Sequence, residues 1–155
     1  MGICAGLIGC ILGSCQCSVK FAKERILYGK PITALQGIRF RIAEMYIDLA
    51  AARAITYRGA WIRDKGMSSR LEHSAAKYFC TKAALRASLH SINVHGGSGN
   101  MLDYMPQAYY RHTPLLIAGG GTDEIMKDTV AAEAIEGANP VMGPTPAEKS
   151  GFYIL

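Results

Sequence analysis

Between residues 35 and 49 apolar side chains recur every three or four positions, at Leu35, Ile38, Ile42, Met45 and Leu49, and the pattern continues through Ala52, Ile55 and Trp61. Such spacing places them on one stripe of a 3.6-residue repeat. It predicts a long second helix that opens near Thr33, a suitable N-cap, and closes at Lys65-Gly66. About 30 residues at 1.5 Å each make a rod of roughly 45 Å. A first helix is expected from about Ile3 to Ile26, stopped by Gly29, Lys30 and Pro31. A third spans roughly Arg70 to Val94, with Ala75, Phe79, Ala83, Leu85 and Leu89 on its apolar side, and ends in His95-Gly96-Gly97-Ser98-Gly99. A less regular segment follows, with a short helix around Pro106 to His112. After Gly119-Gly120-Gly121 a last helix starts at Thr122 as N-cap, carries Asp123 and Glu124 where the helix dipole favours acids, and runs to about Ile135. No stretch stands out as a strand. Three long helices and one shorter one predict an all-α fold, an antiparallel up-and-down four-helix bundle over residues 1–135. The remainder, 136–155, carries Pro140, Pro144 and Pro146 and reads as an extended tail.

A length of 155 residues suits one domain with one core. The formal charge of +5 is a modest basic bias that suits an anionic partner such as a dinucleotide or coenzyme A, and equally a plain surface. Lys and Arg form no long run, which argues against a nucleic-acid arm. Four of the five cysteines (Cys4, Cys10, Cys15, Cys17) crowd one apolar stretch, with Cys80 apart. That is a poor disulfide framework, and Cys15-x-Cys17 lacks zinc spacing and a nearby histidine. They read as small buried hydrophobes, reduced in a cytoplasmic setting. The uncharged run from Met1 to Val19 imitates a signal or anchor, but it has no positive flank, and glycines and cysteines dilute it. Gly6 at position six breaks the myristoylation pattern. A buried helix with small residues for close packing, and no membrane, is the expectation.

Five segments together resemble the acyl-CoA dehydrogenase family. They are Phe21-Ala22-Lys23-Glu24-Arg25-Ile26-Leu27-Tyr28-Gly29-Lys30-Pro31-Ile32 followed by Leu35-Gln36; Ala51-Ala52-Arg53 with Tyr57-Arg58-Gly59-Ala60-Trp61; Ala75-Ala76-Lys77; Val94-His95-Gly96-Gly97-Ser98-Gly99; and Gly120-Gly121-Thr122-Asp123-Glu124-Ile125-Met126-Lys127. Their order and spacing match that family's C-terminal helical domain. The resemblance implies an FAD enzyme that oxidises an acyl-CoA between Cα and Cβ. It works with an electron-transfer flavoprotein as acceptor, and two subunits share each flavin in a homodimer or homotetramer. By residue, it implies that Arg25 meets the FAD pyrophosphate with a forked guanidinium and that Tyr28 lies beside the same cofactor. Gln36 and Asn93 stand at glutamine positions, the first a hydrogen-bonding one. Gly96 and Gly97 form a turn open to the adenosine part. Thr122 and Glu124 contact FAD, and Gly121 the substrate.

The departures are as informative. Many members carry the catalytic glutamate where this chain has Gly120, and a glycine cannot abstract a proton. The branch with Gly-Gly-Thr takes its base from a Glu-Arg pair that its spacing would put just ahead of Met1. No catalytic base is therefore expected within this chain. Asn100, Gln107-Ala108 and His112 replace an aromatic residue, a Glu-Arg pair and an aspartate of the pattern. Of the histidines His73, His90, His95 and His112, none has triad or HExxH spacing. His95 belongs to the glycine turn, and His112 is a candidate for a cofactor or subunit contact. The chain reads as part of an FAD and acyl-CoA site, inactive alone and completed by a partner chain. The other class of reading is a non-catalytic oligomerisation module.

Overall fold

The computed structural model describes residues 1–136, so the expectation for the tail falls outside the described residues apart from Glu136. The elements are α1 (Gly2–Glu24), a ribbon of β1 (Ile26–Leu27) and β2 (Lys30–Pro31), a 3-10 turn (Ile32–Ala34), α2 (Gln36–Asp64), α3 (Arg70–His95), a second 3-10 turn (Gly96–Asn100), α4 (Pro106–Ala118) and α5 (Asp123–Ile135).

Side-chain contacts give the direction of each helix. Ser18 of α1 bonds Ser91 of α3 at 2.9 Å, and Cys4 near the start of α1 lies against Cys80, so α1 and α3 run the same way. On α2, Thr56 meets Cys80 and Asp48 meets Arg86, so α2 runs opposite. Tyr104, just before α4, touches His95, and Ile117 near its end meets Lys77. Asp123 at the start of α5 meets Lys82, and Glu133 meets Arg70. Hence α4 and α5 both run antiparallel to α3, one after the other along its length. The expected four-column up-and-down bundle is present, and its fourth column is two helices joined end to end at Gly119–Gly121. The short helix expected at Pro106 to His112 reaches Ala118 and contains Pro114. A proline at the ninth position bends a helix and need not end it.

α3 is the central rod and packs on all four other helices. Its buried positions are mostly small: Ala76, Ala83, Ala84, Ala87, Ser88 and Ser91. Neighbours therefore approach from several sides, and this helix shows no single apolar stripe. Leu7 and Ile11 of α1 and Met45 of α2 fill the main core around it, each contributing about 1.5–3 kcal/mol when fully buried. α1 is long and apolar enough to cross a membrane by length and composition; here Cys4, Leu7, Ile8, Ile11, Ser14, Cys15, Ser18 and Ala22 form its buried face. Among the small residues expected to serve close packing, Cys4, Ser14, Cys15, Ser18 and Ala22 are buried; of the glycines, Gly13 is the one set against a neighbour, where an added Cβ would meet the Tyr109 hydroxyl. Gly2, Gly6 and Gly9 have open space before them, because three- and four-residue steps from Cys4 leave them on the opposite side. All five cysteines are free, with Cys4, Cys15 and Cys80 buried.

Two boundaries differ from expectation. α1 stops at Glu24, and the next residues pair as a two-stranded ribbon, too short for any alternation to announce it. α2 begins at Gln36, with Leu35 at its N-cap and no side-chain cap bond, while Thr33 lies in the preceding 3-10 turn.

Candidate cofactor surface

At one end of the bundle the end of α1, the 3-10 turn that follows the ribbon, the start of α2 and the end of α3 meet. A small apolar cluster of Ala22, Ile32 and Val94, with Phe21, Ile38 and Ile42 against it, ties them together and carries the ribbon between α1 and that turn. Arg25 is held through its backbone: its N–H donates to the Phe21 carbonyl at 2.8 Å, and its own carbonyl accepts from Ile32 N–H at 2.9 Å. Its side chain is exposed. Tyr28 and Gly29, with φ of 52° and 75°, make the two-residue turn. Positive φ at both positions matches the twist of a tight ribbon, yet it is uncommon for a tyrosine. The turn carries the Tyr28 ring outward, 86% exposed. Gln36 is exposed at the first position of α2.

α3 closes on a glycine that the backbone requires. Gly96 has φ 60° and ψ −137°, outside what L side chains readily adopt. Gly97 faces open space, and a Cβ on Gly99 would lie 2.8 Å from the Ile92 carbonyl oxygen. Asn93 is exposed one turn earlier. His95 is buried, stacked on Phe21 at 4.3 Å and edge-on to Tyr104 at 5.9 Å. Its Nδ1 pairs with the Ser91 carbonyl at 2.8 Å. Burial lowers its pKa against the pull of that bond, so the ring is a neutral packing group. His112 is exposed on α4.

The remaining expected residues lie elsewhere. Gly120, Gly121, Thr122 and Glu124 occupy the joint between α4 and α5, at the level of Thr81 on α3. From there to His95 is about 21 Å of helix at 1.5 Å per residue. Thr122 is at the N-cap of α5 as expected, without a side-chain cap bond, and Glu124 is exposed. Gly120 (φ 70°) and Gly121 (φ 110°) shape the turn. A Cβ on Gly120 would lie 2.5 Å from Ile3 Cδ1. Gly120 is thus imposed by backbone and packing, and the turn rests on the beginning of α1. A cleft of about 410 Å³ opens there among Met1, Ile3, Cys4, His73, Lys77 and Gly120. Beside it Cys4 and Cys80 share a hydrogen bond that lowers the Cys4 thiol pKa and raises that of Cys80. Glu72 is buried near this place, with no partner for either carboxylate oxygen.

Polar wiring of this joint was not legible in the sequence. The Lys77 amine donates to the Ile117 carbonyl at 2.6 Å and the Gly121 carbonyl at 2.5 Å. Thr81 and Lys82 both reach Asp123, and Asp123 raises the Lys82 pKa. Lys77 and Thr81 share one face of α3 by their four-residue step, with Lys82 beside Thr81, but nothing in periodicity says what that face holds.

One end of the bundle, then, is an exposed surface of arginine, aromatic, amide and open glycine backbone, and halfway along it lies an internally wired turn over a cleft. The description "Acyl-CoA dehydrogenase, C-terminal domain" matches residues 1–135. A probable acyl-CoA dehydrogenase of Bacillus subtilis, YngJ, is 32% identical over 136 residues, 88% of this chain and 36% of that protein. An acryloyl-CoA reductase (NADH) of Anaerotignum propionicum is 36% identical over 136 residues, 88% of this chain and 34% of that protein. A probable acyl-CoA dehydrogenase of Mycobacterium abscessus superposes with a TM-score of 0.83 at 28% identity, covering 86% of this chain and 35% of that one. The chain belongs to the acyl-CoA dehydrogenase family, whose members are FAD-dependent oxidoreductases, and corresponds to the family's C-terminal domain. It spans about a third of the length of the relatives it matches.

The ribbon end fits a dinucleotide. It offers an exposed guanidinium for phosphate, an aromatic face, an amide, and a glycine turn whose backbone lies bare where a Cβ would stand in the way.

Proposed function

We propose that this domain supplies one wall of an FAD site in an acyl-CoA dehydrogenase, with Arg25 on the pyrophosphate, Tyr28, Gln36 and Asn93 beside it, and Gly96 and Gly97 against the adenosine part. The observation that carries this reading is the gathering of the stretch 21–42 and the distant end of α3 around one small apolar cluster, their polar groups outward. FAD itself supplies the hydride acceptor. This chain binds and orients it. Thr122 and Glu124, some 21 Å along α3, serve a second stretch of flavin, as expected where two subunits share each site. The acyl-CoA thioester lies against Gly121 over the cleft. The base is supplied from outside this domain, at the cleft where Gly120 meets Ile3 at the start of the first helix. Electrons leave to an electron-transfer flavoprotein, in fatty acid metabolism. Five free thiols suit the cytoplasm.

A second observation favours self-assembly as homodimer or homotetramer. α2 carries a second apolar row, Phe40, Ala43, Ile47, Ala50, Ala54, Tyr57 and Trp61, in strict three–four alternation and exposed throughout; Trp61, expected on the first stripe, falls on this row because it lies six residues beyond Ile55. Ile47 is 66% exposed. That is the period of a coiled-coil seam, and a bare row of this kind marks a contact surface. The same row serves the non-catalytic assembly module, or a partner chain bearing the other domains. Equilibrium titration with FAD tests the cofactor reading: Arg25→Ala weakens binding about 10- to 100-fold, the worth of a charge-assisted bond. Equal affinity of both proteins would count against it.

A further inference from the structure

We infer that Lys77 is a positioning residue for the α4–α5 turn. Its buried ammonium clamps the turn and so sets where Gly121, Thr122 and Glu124 stand; the part concerning Thr122 and Glu124 rests on the flavin reading above. Lys77 is only 5% exposed, an unusual place for a lysine. Both hydrogen bonds of its amine go to backbone carbonyls, those of Ile117 and Gly121. These lie on the two sides of Gly119-Gly120, so one cation ties the outgoing end of α4 to the incoming end of α5. The last carbonyls of a helix lack intrahelical donors, and the negative end of the helix dipole favours a cation. Ile117 is in that last turn of α4.

The turn has little else to fix it. Gly120 and Gly121 are both at positive φ, a conformation that glycine adopts freely but does not enforce. The side chain of Thr122 makes no cap bond. Thr81 and Lys82 hold Asp123, one residue beyond. Lys77 therefore grips the segment that faces Ile3 and the cleft, while its neighbours on α3 grip the helix behind it. An apolar replacement would leave the Gly121 carbonyl without its donor and the turn free to choose among glycine conformations.

The experiment compares the full chain with Lys77→Met and Lys77→Gln by amide hydrogen exchange and by 15N chemical-shift mapping of an FAD titration. Lys77→Met should raise exchange at residues 119–126 at least tenfold while amides of α1 and α2 keep their rates. Lys77→Gln, which retains one donor, should fall between. Flavin-induced shifts at Thr122 and Glu124 should be lost in Lys77→Met and kept at Arg25, Tyr28 and Gly97; a general loss of structure would remove both sets. Unchanged exchange at 119–126, or a rise spread evenly over all helices, overturns the clamp. Should neither substituted chain fold, through-hydrogen-bond 15N–13C′ couplings from the Lys77 ammonium to carbonyls 117 and 121 of the wild-type chain decide it, their absence being the overturning result. An FAD titration with no shift anywhere sinks the flavin reading and leaves the exchange test of the clamp intact.

Discussion

The C-terminal end of α3 and the α4–α5 joint at its middle solve opposite problems. At its C-terminal end the chain is shaped by backbone: a ribbon turn with Tyr28 and Gly29 at positive φ, a glycine at φ 60°, and side chains that project outward. Around its middle the chain is fixed by polar contacts from Lys77, Thr81 and Lys82 to carbonyls 117 and 121 and to Asp123. A surface that must receive a ligand keeps its donors free and spends backbone strain to aim them. A joint that must hold two helices in line uses its donors internally. Substitutions at the end should therefore separate stability from binding, and substitutions at the joint should couple them.

The largest expected effect comes from packing at the ribbon end. Gly99→Ala forces a Cβ to within 2.8 Å of the Ile92 carbonyl and should lower unfolding free energy by about 1–3 kcal/mol. Gly96→Ala, strained by its φ of 60°, should cost a similar 1–3 kcal/mol or so. Urea unfolding measures both. At the joint, Asp123→Asn breaks the pair with Lys82. Lys82 is partly exposed, with 38% of its side chain accessible, so the loss should stay at or below about 1 kcal/mol. It should appear in hydrogen exchange at α5 before it appears in global unfolding. Gly97→Ala sharpens the comparison: with open space before it, stability should move by less than about 0.5 kcal/mol, while FAD affinity falls.

The smallest effect is on pH dependence. The pKa values of His95 and His73 are both lowered, chiefly by burial. For each, the unfolded chain binds a proton more readily, so stability is complete above the ordinary histidine value and declines as pH falls through it toward the lowered one. The thermal midpoint should drop between about pH 7 and pH 5. His95→Phe, which keeps the stack on Phe21, should flatten part of that decline. An unchanged slope would remove His95 from the account.

Much of the fold was legible because α1, α2 and α5 carry their own signals: an apolar run, a regular stripe, and a threonine followed by two acids. α3 was legible in extent and not in role. The apolar side expected there, Ala75 to Leu89, is not the buried one throughout: Leu89 is exposed, and the helix is buried on several sides by alanine and serine, which form no stripe. The ribbon was missed because four paired residues cannot display a period of two. The split of the expected cofactor set into two groups also lay beyond the sequence, since spacing along the chain gives no distance between Arg25 and Thr122. Lys77 was visible only as part of a family segment, its function being set by two carbonyls contributed forty residues later. The second apolar row on α2 was present in the sequence, but the first row hid it: with apolar residues on both faces, neither alone marks which side is inward.

The central claim is that the ribbon end receives the dinucleotide. Mapping 15N chemical shifts of the chain through an FAD titration tests it most directly, because even weak binding leaves a footprint. The account predicts shifts gathered at Arg25, Tyr28, Gln36, Asn93, Gly96 and Gly97, growing together along one binding curve, with a second set at Thr122 and Glu124 and the exposed row of α2 beyond Phe40 unmoved. Shifts confined to that row, or absent from all six residues at millimolar FAD, would contradict it.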